Sequence, residues 1–257
     1  MSPRLVCASN LKGIGMSFSI YAADNGAPAT VGFDESFVGK INYTVPVGSG
    51  AGTMRSPSRT QSALGGPGGA TELSTTRGLF LLVRGGYQTV NQLIYPLSGD
   101  IMDSTEPENF RAFDFSGYAN VSYGIHVPFG PPLTRIGPHT DGRMPIAADK
   151  GPYVDANITT PPVELTPESG PRAWRAYNSP NHEGRDQNVL FVDSHVSWEQ
   201  VPIVGIDNDN IYTIAFDNVR ESSRVGGQSP WVRNAHPFTP VDASGVSLAS
   251  TDSVIFP

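Results

Sequence analysis

The stretch that most constrains this chain is residues 178–213, where a polar loop, two β-rich runs and an acidic loop follow one another. The two runs, residues 188–192 and 195–199, meet at Asp193-Ser194, and this spacing predicts a β-hairpin with one side packed on a helix. A two-residue type I′ turn needs positive φ at both central positions. Because serine adopts such a conformation at a steric cost, we expect either a slightly strained backbone at Ser194 or another turn type.

The N-terminal residues carry the second strong pattern. Apolar residues recur at steps of four, three, four and three, namely Cys7, Leu11, Ile14, Phe18 and Tyr21. This periodicity predicts an amphipathic helix over residues 4–23, and an ordinary helix lying on a sheet would produce the same pattern. The opposite face is small and weakly polar at Ser9, Lys12, Gly13 and Gly15, which would allow it to sit against a neighbouring subunit.

The remaining segments predict shorter elements joined by loops. Residues 48–70, rich in Gly, Ser, Pro and Thr, predict a flexible loop rather than a phosphate-binding loop, because no Gly-Lys-Ser/Thr follows them. The predicted elements are a strand at 40–46, a buried helix at 72–87 (or a strand at 79–83), and strands at 90–96, 118–126 and 144–148.

Composition sets the class and excludes several functions. With 28 glycines, 23 prolines and 16% charged residues in 257, the chain suits a β- and loop-rich globular protein. A net charge of −7 with scattered Lys and Arg argues against nucleic-acid binding. The single cysteine, Cys7, excludes an internal disulfide and a cysteine-based zinc site. No apolar run approaches the length of a membrane helix. We therefore expect an extracytoplasmic α+β domain.

The candidate ligands cluster around the hairpin. His182, Asp193 and His195, joined by Asp149, provide imidazoles and carboxylates of the kind that bind zinc. The simpler interpretation, which we favour, is that His182 hydrogen-bonds the carboxylate of Asp193 and tethers its loop to the turn. No residue is predicted to be catalytic.

The acidic loop is the second candidate site. Asp207, Asn208, Asp209 and Asn210 supply hard oxygen donors within four residues, as Ca²⁺ prefers. The loop lacks the EF-hand pattern and its closing Glu, and Asx-rich turns also form without metal. The sequence therefore establishes no cofactor; Ca²⁺ is the candidate ion for this loop, and a metal-free turn is the alternative.

Separate stretches of the chain resemble one bacterial family, the type IV pilin-like proteins and type II secretion pseudopilins of planctomycete-like bacteria. CASNLKGIGMSFSIYAADN resembles the segment that follows their N-terminal membrane helix. MPIAADKGPY and the stretch 178–213 resemble their C-terminal prepilin-type processing-associated domain, and GLFLLVRGGYQTVNQLIYPLSGD is also similar. The resemblance covers about half of the chain and leaves out residues 48–70 and 220–257.

The C-terminal domain of that family is named for a His followed by an Asp-Gly. His182 and Asp193 match the named His and Asp, whereas Ser194 replaces the Gly. Tyr95 stands where such proteins often have a Cys before Pro, so Cys7 lacks that partner.

The resemblance implies a pilin-like α+β fold, in which an N-terminal helix (residues 1–25) packs on the antiparallel sheet of a loop-rich head (residues 26–257). It also implies a membrane-anchoring helix and a processing site upstream of residue 1. It further implies a non-catalytic subunit that associates with itself or with other pilin-like subunits in a filament of the cell envelope.

Two alternatives remain open. One is a surface-exposed binding module for a glycan or a secreted partner, with Trp174, Tyr177 and Trp198 as an apolar platform. The other is a metal-dependent hydrolase that uses the candidate ligands of the hairpin.

Overall fold

The structure is a computed structural model that describes residues 2–25, 76–103, 114–126, 136–137, 140–152, 165, 168–206, 208–213, 253 and 255–256. Two α-helices and five strands lie in these ranges. They are α1 (Pro3–Asn25), α2 (Arg77–Arg84), β1 (Tyr123–His126), β2 (Pro145–Asp149), β3 (Gln187–Phe191), β4 (Val196–Glu199) and β5 (Ile255–Phe256).

The five strands form one antiparallel sheet in the order β4-β3-β2-β1-β5. Helix α1 packs on one face of this sheet. The predicted α+β class, with an N-terminal helix on an antiparallel sheet, is therefore confirmed at this level.

The inner face of α1 follows the predicted apolar seam. Cys7, Leu11 and Ile14 are completely buried in a core shared with Leu190 of β3. Gly15 lies on this inner face as well, since a Cβ there would meet Leu190 Cδ2 at 3.1 Å. Gly15 therefore belongs to the sheet contact and not to the outer face, where the sequence placed it.

A second core covers the other face of the sheet. It contains Ala148, Val189, Phe191, Ile211, Tyr212 and Ile255. Leu190 thus faces α1 while Val189 and Phe191 face away, as the alternation in the hairpin predicts. Because both faces are covered, every side chain of β3 is buried.

Other predicted elements are shorter or different. The second helix is Arg77–Arg84, and the strand predicted at 118–126 begins only at Tyr123. The strand predicted at 90–96 is wrong, because Val90–Leu93 forms a 3₁₀ turn. The reason is local, since Gln92 Oε1 accepts a hydrogen bond from the Thr89 N–H at 3.2 Å and favours the turn. The strand at 40–46 and the loop at 48–70 lie outside the described residues.

The hairpin turn has three residues rather than two. Phe191 N–H donates to His195 O at 3.0 Å, and Ser194 N–H donates to Phe191 O at 2.9 Å. Ser194 has φ 71°, while neither Val192 nor Asp193 has positive φ. This is a turn followed by a left-handed residue at the bulge position, where glycine is favoured.

Within the described parts of the chain, no helix is both long enough and apolar enough to cross a membrane.

Candidate functional site

The centre of the site is Asp149, the last residue of β2. Its side chain is completely buried and faces α1, on the same side of the sheet as Ala147. Tyr212 also anchors this strand end from the second core, because its hydroxyl donates to the Asp149 carbonyl oxygen at 2.8 Å. The carboxylate is thereby held in the interface between the helix and the sheet.

Several donors converge on the Asp149 carboxylate. Oδ2 accepts a hydrogen bond from the Asn188 backbone N–H at 2.7 Å, and Asn188 Nδ2 lies 3.2 Å from it. Asn181 Nδ2 approaches Oδ1 at 3.4 Å, and the thiol of Cys7 donates to the same oxygen. A buried carboxylate needs such partners, because its desolvation would otherwise be strongly unfavourable.

His182 completes this cluster. Its Nε2 lies 3.0 Å from Asp149 Oδ2, and its side chain is only 7% exposed. The ring is flanked by Tyr95, with centroids 4.8 Å apart, and by Trp198 at 5.1 Å. Burial raises the pKa of the Tyr95 hydroxyl. An aromatic wall thus fixes the imidazole beside the carboxylate.

The loop that carries His182 is held by its own hydrogen bonds. A 3₁₀ turn at Pro180–His182 begins after Ser179, whose hydroxyl accepts from Asn181 N at 3.3 Å. Asn178 Nδ2 donates to Gly184 O at 3.1 Å and to Gln200 O at 2.9 Å. This loop is therefore attached to the far end of the hairpin, away from its turn.

Gly184 closes the loop at a position that suits only glycine. Its φ is 73°, and a Cβ there would lie 2.2 Å from the carbonyl oxygen of Arg175. A side chain at this position would displace the loop that presents His182.

Trp198 is covered from outside by Arg4. The Arg4 Cζ lies 3.9 Å from the centre of the Trp198 ring, and Arg4 Nη2 lies 3.1 Å from Asp186 Oδ2. Burial raises the pKa of Asp186, while the nearby guanidinium of Arg4 acts in the opposite direction. The start of α1 is thus fastened to the rim of the cluster.

The cluster differs from a cysteine nucleophile with its base. In such sites the imidazole contacts the sulfur, whereas here the carboxylate of Asp149 lies between Cys7 and His182. Burial, reinforced by the nearby Asp149, raises the pKa of the Cys7 thiol well above its usual range. The geometry therefore stabilises the neutral thiol.

The predicted tether is corrected in one respect. His182 pairs with Asp149 and not with Asp193, because the His182 loop lies at the helix-facing end of β2. Asp193 instead accepts hydrogen bonds at the exposed turn from His195 N, at 3.1 Å, and from His195 Nδ1, at 2.5 Å. These hydrogen bonds lower the pKa of Asp193. The predicted trio His182, Asp193 and His195 is consequently not brought together.

Among the described residues, one group of His, Cys and acidic side chains has ligand atoms that all lie within 4.8 Å of one another. It consists of Cys7, Asp149 and His182. The sequence predicts Asp149 as an additional ligand but not Cys7, because a single cysteine argues against a cysteine-based zinc site. The apolar seam of α1 is the sequence feature that could have identified Cys7 as part of the cluster, because it places Cys7 on the face that packs on the sheet.

In the acidic loop, Asp209 and Asn210 are buried, whereas Asn208 is exposed. Asp209 Oδ2 accepts from the Ser253 N–H and hydroxyl, both at 2.8 Å, and Asn210 Oδ1 accepts from Tyr212 N at 3.1 Å. Asn208 has φ 63° and turns the chain. Asp207 lies outside the described residues. These contacts attach residue 253, next to β5, to the loop, and calcium binding stays a prediction.

Of the three residues of the predicted aromatic platform, only Trp174 is fully buried, while Tyr177 and Trp198 are partly exposed. Trp174 is completely buried, while Tyr177 packs edge-on against it with centroids 6.2 Å apart. Trp198 contacts His182 and Arg4 instead.

Searches for related families, curated proteins and solved structures found none that matches this chain.

Proposed function

We propose that this chain is a structural, non-catalytic, pilin-like subunit of the cell envelope that associates with other copies through the outer face of α1. The observation that supports the proposal is a set of large apolar side chains exposed on the outer face of α1. The inner face of this helix is already packed on the sheet, so these side chains are free to contact another molecule. Leu5, Met16 and Ile20 are 61%, 57% and 50% exposed.

These three side chains lie on one side of the helix. At about 100° per residue, Leu5 and Met16 differ in direction by roughly 20°, and Ile20 lies within about 60° of Leu5. Ser9 and Lys12 occupy the exposed positions between them. The outer face is therefore a stripe about four turns long, from Leu5 to Ile20, with one charged side chain, Lys12, near its centre.

Such a stripe has the properties of a helix-packing surface. Apolar side chains repeated at helical spacing on an exposed face favour contact with another helix. Residues 7–25 resemble the pilin-like helix, and we therefore propose that the helix packed on this stripe is α1 of a neighbouring subunit. Small side chains such as Ser9 would let the two backbones approach closely.

The experiment is photo-crosslinking in cells that produce the protein, with a crosslinking residue at Met16. We expect crosslinked dimers and larger multiples of the chain, and we expect Ile20→Glu to reduce them at least about tenfold, because the charge would be buried in the contact.

The matched control is Leu97→Glu, since Leu97 is 66% exposed but lies outside α1. This variant should crosslink as the wild type does. Absence of multimers, or an equal loss in the control, would contradict self-association through α1.

A further inference from the structure

Three potential metal ligands from three separate elements meet between the helix and the sheet. Cys7 comes from α1, Asp149 from the end of β2, and His182 from the 3₁₀ turn before β3. One ligand atom of each lies within 4.8 Å of the others. Residues so far apart in sequence come together only through the packing of α1 on the sheet.

We infer that this cluster binds Zn²⁺ or a similar divalent transition metal. A thiolate, an imidazole and a carboxylate form a donor set that zinc accepts, while Ca²⁺ and Mg²⁺ prefer oxygen ligands alone. The site goes beyond the proposed function and does not depend on it.

The surroundings of the cluster suit a ligated metal. Asn188 donates its backbone N–H and its side-chain amide to Asp149, which orients the carboxylate as outer partners of metal ligands do. Asn181 is only 5% exposed, and its Oδ1 has no hydrogen-bond partner although its Nδ2 is bonded to Ser122 O at 2.7 Å. Asn181 thus approaches the cluster through Nδ2, 3.4 Å from Asp149 Oδ1, and leaves its buried amide oxygen unpaired.

Charge balance also favours a divalent ion. On binding, the S–H bond of Cys7 breaks, its proton leaves to solvent, and the sulfur electron pair forms the bond to the metal. One thiolate and one carboxylate then neutralise the two charges of Zn²⁺, and a neutral imidazole completes the set. A neutral site avoids the desolvation penalty of an unpaired buried charge.

The low exposure of the ligand side chains, with His182 only 7% exposed, favours a structural role for the metal. Cys7 and Asp149 are completely buried, and the metal would join the first helix to the middle of the sheet. Because folding closes the site, metal binding is coupled to folding, and the ion enters most readily while the chain folds.

The test is to refold the full chain with Co²⁺, which occupies zinc sites and reports sulfur ligation by a charge-transfer absorption band in the near ultraviolet. We expect one Co²⁺ per chain with this band, displacement of Co²⁺ by Zn²⁺, and zinc in protein that is purified without chelators. Cys7→Ser should abolish the band, and His182→Ala should weaken binding at least about tenfold.

The matched control is His195→Ala, which removes an exposed imidazole outside the cluster and should leave Co²⁺ binding unchanged. Circular dichroism identifies any variant that fails to fold. In that case the Co²⁺ absorption spectrum of the wild type still decides whether the site exists. A folded wild type without the band, or a band that persists in Cys7→Ser, would overturn the site. So would an equal loss of binding in His195→Ala.

Discussion

Two contacts between a histidine and an aspartate in the described part of the chain differ in almost every physical respect. His182 and Asp149 are far apart in sequence, buried together and surrounded by further donors. Asp193 and His195 are two residues apart, and about half of each side chain is exposed. The comparison shows that two residues close in sequence can form a contact at little cost in free energy. A buried contact between distant residues instead requires the whole helix–sheet interface to form.

The largest difference that we expect between the two regions is in thiol accessibility. In wild-type protein treated with a chelator, alkylation of Cys7 should require unfolding, because the thiol is completely buried and burial raises its pKa. A cysteine placed in the turn by Ser194→Cys, at a partly exposed position, should react at least about a thousandfold faster, since opening of a core typically costs several kcal/mol.

Mass spectrometry of this variant during alkylation measures both rates in one sample. One label per chain should appear quickly and the second only in denaturant. Fast labelling at Cys7 in the folded protein would show that the cluster opens locally.

The second difference is in stability. Asp149→Ala should lower the free energy of unfolding by about 3–5 kcal/mol, because it leaves the Asn188 N–H, the Cys7 thiol and the His182 ring without their acceptor inside the core. Asp193→Ala is the matched control and should leave the denaturation midpoint unchanged, since its contacts are exposed.

Chemical denaturation in the presence of a chelator measures the free energy of unfolding of both variants. Equal losses of stability would mean that the buried contact is no more important to the fold than the exposed one.

The smallest expected effect concerns the turn itself, where a substitution should raise the free energy of unfolding rather than lower it. Ser194 has φ 71°, a conformation that costs a residue with a side chain about 1–2 kcal/mol. Ser194→Gly should therefore stabilise the protein by about 0.5–1 kcal/mol after the greater entropy of the unfolded glycine chain is subtracted.

Ser197→Gly, in the middle of β4, is the control for glycine in a regular strand, and it should lose about 0.5–1 kcal/mol. Thermal denaturation distinguishes the two. If both variants lost stability, Ser194 would not be strained.

Local patterns in the sequence were enough to predict the elements that frame the site. The apolar seam of α1 placed Cys7, Leu11 and Ile14 on one buried face, and alternation in the hairpin assigned Leu190 and Val189 to opposite faces. These predictions succeed because each depends on the repeat of a single helix or strand, which tertiary packing preserves.

The strand predicted at 90–96 failed for a related reason. Apolar residues in so short a segment suit both a strand and a turn, and the side chain of Gln92 decides between them through one hydrogen bond. Periodicity contains no information about that bond.

The partner of His182 was decided by tertiary structure alone. Asp193 is closer to His182 in sequence than Asp149 is, but the loop of His182 lies beside the end of β2, where Asp149 faces the helix. Cys7 reaches the same point from the other end of the chain. The sequence by itself determined the buried seam of α1 and the alternating faces of the hairpin. Only the antiparallel order of the strands, with α1 laid across them, decided which buried residues meet, because that distance depends on how separate elements pack.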